Sequence, residues 1–164
     1  MNSIDFIRMS LHNSKAWAEK LLGDMSDAPL TQPAPNGGNH PLWLLGHLVR
    51  SESDLLDGFI LGRPNRFPEL EQFAMTSVPM TDTNGQPTMD ELFIKFAAIR
   101  AATLAHLDTL DDSDLDQPSH APKELGPAFA TIGACFAAMC SHVSFHSGQA
   151  ADARRAAGRG PLFA

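Results

Sequence analysis

Tyrosine is absent from this 164-residue chain and valine and threonine are sparse, so no segment carries the β-branched and aromatic alternation of a strand. Only two cysteines occur. Cys135 and Cys140 fall five apart in one predicted helix, about 140° apart around its axis, which excludes a disulfide between them and fits a reducing compartment. Positive charge is also short: 12 Lys and Arg against 19 Asp and Glu leave a net charge of −7. Such a surface repels phosphate backbones and argues against a nucleic-acid partner. The one basic cluster, Arg154, Arg155 and Arg159, falls at the end of the last predicted helix, where the helix dipole alone explains it. No apolar run approaches a membrane span, and the start "MNSIDFIRMS" has neither the basic nor the apolar segment of a secretory signal. These absences place the chain in the cytoplasm, away from membranes. Internal repeats and low-complexity tracts are likewise missing.

What is present is a globular balance, 43% apolar and 19% charged residues, at a length suited to one domain over 1–164. Four segments show apolar spacing of three and four. The first runs from about Ser3 to Gly23, with Ile4, Ile7, Leu11, Ala18, Leu22 and Met25 on one stripe, and "SDAPLTQPAPNGG" stops it. Asn39, a candidate N-cap, and Pro41 open the second, which reaches about Gly62. More than twenty residues follow, with three prolines and one short helical hint in "ELEQFA". That length could span a bundle and join two helices running the same way. The third helix runs from about Thr88 to Leu110 on Met89, Phe93, Phe96, Thr103, Leu107 and Leu110. The fourth runs from about Ala128 to Ala157, ended by Gly158 and Pro161. The expected fold is an all-α four-helix bundle with a long crossover.

Within "CSHVSFHSGQ", His142 and His146 lie four apart, about 400° along a helix, so both rings project from one face and can reach one ion. Neutral imidazole suits zinc, nickel, copper or ferrous iron, and this spacing recurs on zinc-protease helices. Taken alone, two such histidines are more often coincidence. Their face looks inward, however, since Cys135, Met139 and Gln149 fall within about 60° of His142. Buried histidines need partners for a donor and an acceptor each; a metal supplies these, and so would interhelical hydrogen bonds. His47 is the best third ligand, on the stripe of Leu44, Ser51 and Asp54, and Gly46 beside it would admit a close neighbour. His40 lies seven residues earlier, roughly 10 Å along the axis and too far for the same ion. It reads as a helix-start or pocket-rim residue. Three His ligands without a fourth leave an open position, the catalytic arrangement.

"LLGHL" on the second helix, with "HVSFHSGQ" and "ARRAAGRGPLF" on the last, resembles the DinB/YfiT-like superfamily of metal-dependent proteins. The resemblance covers the whole chain in length and helix order. It implies a four-helix bundle in which His47, His142 and His146 bind one divalent metal at a pocket. The family name refers to induction by DNA damage and not to DNA binding. Members with an assigned activity are typically transferases or isomerases using bacillithiol, mycothiol or glutathione. The resemblance thus implies a small-molecule substrate, a low-molecular-weight thiol as cosubstrate, one divalent ion of the zinc, nickel or iron type, and transferase chemistry. A metal can activate water equally, so hydrolysis is the alternative; a non-catalytic ligand-binding bundle, possible as a homodimer through an exposed helix face, is the third reading.

Other residues have plainer expectations. Arg100 in the middle of the third apolar stripe needs a carboxylate, such as Asp54, or else anchors an anionic substrate; the structural pair is preferred. Asp54 is expected to be ion-paired or solvated ahead of acting as a base. Gln149 should hydrogen-bond near the metal histidines without ligating. Cys135 reads as a core thiol, and Trp43, the phenylalanines and Met139 read as core. His12, His106 and His120 are assigned to the surface.

Overall fold

The computed structural model describes residues 1–33 and 38–162. Part of the first connection, at 34–37, and Phe163 of the C-terminal motif lie outside these residues. Four α-helices dominate: α1 (Ser3–Gly23), α2 (Pro41–Ser53), α3 (Met89–Leu107) and α4 (Ile132–Ala156). Among the described residues no strand forms, and Pro118 and Thr131 make an isolated bridge. No described helix is long and apolar enough to cross a membrane.

Local chemistry sets the helix ends. Asn2 caps α1 by accepting from the Asp5 N–H, and Thr88 with Glu91 forms a reciprocal capping box at α3. Thr131 caps α4, which starts four residues later than its apolar pattern suggests. Pro127–Phe129 form a separate 3-10 turn after Gly126, whose φ of 76° ends the preceding segment. At α2 the cap is His40, whose Nδ1 accepts from the Trp43 N–H at 3.1 Å, and not Asn39. The other ring nitrogen of His40 meets the Met80 carbonyl at 2.7 Å, which ties the crossover to the start of α2. His40 is a helix-start residue.

Cross-helix pairs fix the directions. Arg8 meets Asp108 while Arg100 reaches the Leu11 carbonyl, so α1 and α3 are antiparallel. Asn39 meets Gln149 while His47 meets His142, so α2 and α4 are antiparallel. At its far end α1 is tied by Asp24 to Arg154, and at its near end it shares a groove with Gly133, so α1 runs with α4. It follows that α2 and α3 are parallel, and the long connection between them carries the chain back along the bundle. Leu11, Leu44, Leu45, Val49, Phe73, Phe96 and Phe136 lie fully buried between these helices. On α3 the inward stripe includes Leu92 and Ile99, whereas Phe93 is half-buried and Leu110, also half-buried, lies past the helix end at Leu107.

Helix α2 does not stop at Ser53 but widens into a π-helix over Asp54–Ile60, in which the Leu61 N–H reaches back to the Leu56 carbonyl. A buried carboxylate holds this widened turn. Asp57 accepts from Ser53 Oγ at 2.8 Å and from Arg66 Nε and Nη2 at 2.7 and 2.6 Å. Gly62, with φ 63°, then reverses the chain under the His120 ring, where a Cβ would be crowded.

Arg100 is 1% exposed and pairs with Glu52, not Asp54, at 2.7 and 2.8 Å. Thr103 Oγ1 donates to the same carboxylate. Asp54 instead accepts from Arg50 and Asn65. The three C-terminal arginines are spent on carboxylates: Arg154 on Asp24, Arg155 on Asp152, Arg159 on Asp24 and Asp27.

Candidate metal centre

Helix α4 carries His142 and His146 one turn apart, and antiparallel α2 brings His47 opposite them. His142 Nε2 lies 3.1 Å from His47 Nε2 and 3.0 Å from His146 Nε2. One nitrogen from each of the three rings falls within 4.8 Å of the others. These are contacts for three nitrogens around one ion: at a metal–nitrogen distance of about 2.0–2.1 Å, tetrahedral ligands stand about 3.3 Å apart.

The far side of two rings dictates which nitrogen faces the cluster. His47 Nδ1 donates to the Phe73 carbonyl at 2.8 Å, which leaves its Nε2 lone pair bare. Phe73 can come this close because residue 46 is glycine, since a Cβ there would overlap the Phe73 ring. His146 Nδ1 meets Gln149 Oε1 at 2.8 Å, and Asn39 Nδ2 donates to that same oxygen at 3.3 Å. Trp43 stacks on His47 with centroids 4.4 Å apart and planes 12° from parallel, fixing the ring's tilt, while its indole N–H donates to Ser77.

Burial keeps these imidazoles uncharged. It is the main cause of the fall of the His142 pKa to about 3, with His146 and His47 adding to it. Burial likewise lowers His146 to about 4, against the opposing hydrogen bond to Gln149. His47 is lowered by burial despite the Phe73 carbonyl and Asp54. Among the three Nε2 atoms at most one proton, that of His142, can lie between two lone pairs. The donor set therefore fits a divalent cation of the zinc, nickel or ferrous type.

The cluster opens onto a cleft of about 830 Å³ in which His47 and His142 form part of the wall together with Ser51, Asp54 and Phe59. The π-helix supplies Asp54, Leu55 and Phe59 to this wall. Gln149 and Asp54 thus stand where their helix phases put them, one bonded to a histidine and the other ion-paired beside the cleft. Cys135 is buried with Sγ against the Phe129 carbonyl, a core thiol. His12 and His120 are exposed and His106 is half-buried, all away from the cluster. The Phe73 carbonyl, Asn39 and the stacking of Trp43 are contacts that the histidine pattern does not specify. Only Trp43 left a trace in the sequence, at the i, i+4 spacing from His47.

An all-α bundle whose antiparallel helices bring three imidazole nitrogens together beside an open cleft is, as a class, a helical protein with a candidate mononuclear metal site. The family model of the DinB superfamily matches residues 11–150, a span containing all three histidines, and the chain belongs to that superfamily. Its fold is similar to the crystal structure of a conserved protein from Enterococcus faecalis, with a TM-score of 0.73 and 19% sequence identity, covering 96% of this chain and 98% of that one. No curated protein matches the chain.

Proposed function

We propose that His47, His142 and His146 hold one divalent metal ion and that the protein uses it for transfer chemistry on a small molecule, with a low-molecular-weight thiol as cosubstrate. The convergence of three imidazole nitrogens beside a cleft, with His47 and His146 turned so that their Nε2 atoms are unprotonated, carries this reading. A divalent ion there would supply Lewis acidity, lowering the pKa of a thiol or water that reaches it. The chain's own part is positional. Phe73 and Trp43 hold the His47 ring and Gln149 the His146 ring with Nε2 toward the cluster, and burial keeps all three rings neutral and ready to ligate at ordinary pH.

Asp54 in the same wall supports a second reading, hydrolysis with a carboxylate base. It ranks below transfer because both its oxygens are engaged, Oδ1 by Asn65 at 2.7 Å and Oδ2 by Arg50 at 3.3 Å. Elemental analysis of untagged protein never exposed to chelator, beside His142→Ala, tests the metal. About one equivalent in the parent and little in the variant is expected. A metal-free parent that neither zinc nor nickel stabilises would refute the site. Metal-dependent S-arylation of a small thiol by 1-chloro-2,4-dinitrobenzene, set beside hydrolysis of p-nitrophenyl acetate, separates the two chemistries.

A further inference from the structure

The walls of the cleft say what kind of molecule can lie in it. Its side chains are mostly apolar, among them Leu55, Phe59 and Phe129, and among the described residues no lysine or arginine lines it. Among the described lining residues the one charged group is a carboxylate, Asp54, with both oxygens already hydrogen-bonded. Three of the chain's exposed large apolar side chains meet at this cleft: Met75 at 77%, Leu125 at 40% and Phe145 at 64% exposure. They come from three separate segments, the crossover, a short 3-10 turn over Lys123–Leu125, and α4 itself. Phe145 also touches the His146 ring edge-on, with centroids 5.1 Å apart, so apolar surface is continuous from the mouth to the histidines. A cavity of about 830 Å³ lies within the range of drug-sized ligand sites, roughly 300–1,000 Å³.

We propose that the cleft takes a small molecule with an uncharged apolar body, whose single polar end reaches the histidine cluster. An anionic body would be stripped of water with no cation to receive it and with Asp54 facing it. An apolar body instead covers the three side chains at the mouth and gains by removing them from water. This rests on the metal reading for the polar end, and it narrows that reading. A thiol or acceptor bearing several carboxylates does not seat its body here, whereas an aryl or alkyl one does.

A matched pair of thiols tests the charge rule: phenylmethanethiol and 4-(mercaptomethyl)benzoate share head and ring and differ in a carboxylate at the far end. On zinc-loaded protein, calorimetry should show the uncharged thiol binding about tenfold tighter or better. The neutral apolar dye Nile red, titrated into both metal-free and zinc-loaded protein, reads the cleft independently of the ion. Its saturable fluorescence should fall in Ala138→Phe, which fills the wall, and in Met75→Asp, an exposed rim position that leaves the core intact. Metal content should be unchanged in both variants. Equal or tighter binding of the carboxylate thiol, or Nile red binding that is absent or indifferent to both variants, overturns the proposal. Saturable dye binding that depends on these residues in a protein that takes up no metal would uphold the apolar cleft and refute the metal reading alone.

Discussion

At the scale of single residues, the candidate centre depends on a glycine that touches no ligand. Gly46 leaves room for the Phe73 ring, and only with the ring there does the Phe73 carbonyl reach His47 Nδ1. Gly46→Ala would force the ring away. The expected cost is about 1–3 kcal/mol of stability from overpacking, together with weaker metal binding of about tenfold or more through the lost orienting bond. Chemical denaturation and zinc titration measure the two effects. Unchanged zinc affinity in a destabilised variant would show that the carbonyl does not position the ring. Arg100 is a second residue-scale case. Removing one member of a buried ion pair strands the other, so Arg100→Met should cost about 3–5 kcal/mol, while adding Glu52→Leu should recover most of that loss. Urea unfolding of both single variants and the double gives the coupling directly. The histidine pair and His47 were legible because residue type and helical phase carry that signal. Phe73 was not, because a backbone acceptor has no residue-type signature. Helical phase alone does not choose between Glu52 and Asp54 as the partner of Arg100; Asp54 lies on the histidine side of its helix and is paired with Arg50 and Asn65.

At the scale of elements, the four helices follow from apolar periodicity, and the bounds of α1 match that reading. The irregular pieces do not. Leu55, Leu56, Phe59 and Ile60 suit a turn of either 3.6 or 4.4 residues, so the pattern alone cannot reveal that α2 widens after Ser53. What selects the π-helix is a tertiary contact, Asp57 held by Ser53 and Arg66. Burial pushes the Asp57 carboxyl up, but the hydrogen bonds from Arg66 and Ser53 outweigh it and the net shift is downward from 3.8. A lowered folded pKa means that the unfolded chain takes up its proton first as pH falls. The stability from this carboxylate is therefore complete above about pH 4 and is lost as pH falls through the folded value. Arg66→Met should be less stable than the parent at pH 7, and the gap should narrow as pH falls, because burial then raises the Asp57 carboxyl unopposed and protonation relieves the stranded charge. Denaturant midpoints measured as pH falls test this, and a gap that widens on acidification would contradict the assignment. Because Asp54, Leu55 and Phe59 stand on this widened turn, the same variant should also weaken Nile red binding in the cleft.

At the scale of the whole molecule, three histidines gathered from two helices tie ion binding to the fold, because the unfolded chain does not hold His47 near His142. At a free metal concentration about one hundred times the dissociation constant, mass action adds about 2.7 kcal/mol to the folded state. For a chain of 164 residues this corresponds to a rise in Tm of about 5–10 °C. The parent should show this rise with zinc or nickel and lose it on chelation, and His142→Ala should show none. The metal-free proteins supply the sharper comparison. Packing or hydrogen bonding as the main duty of these histidines would make His142→Ala less stable than the metal-free parent and leave zinc without effect on either. In a site built to receive an ion, three neutral rings crowd their Nε2 atoms together without enough protons to share. Deleting one then costs the metal-free protein little, and the whole difference between parent and variant appears only when metal is added. Melting curves of both proteins, each with chelator and with zinc, distinguish these cases in one experiment.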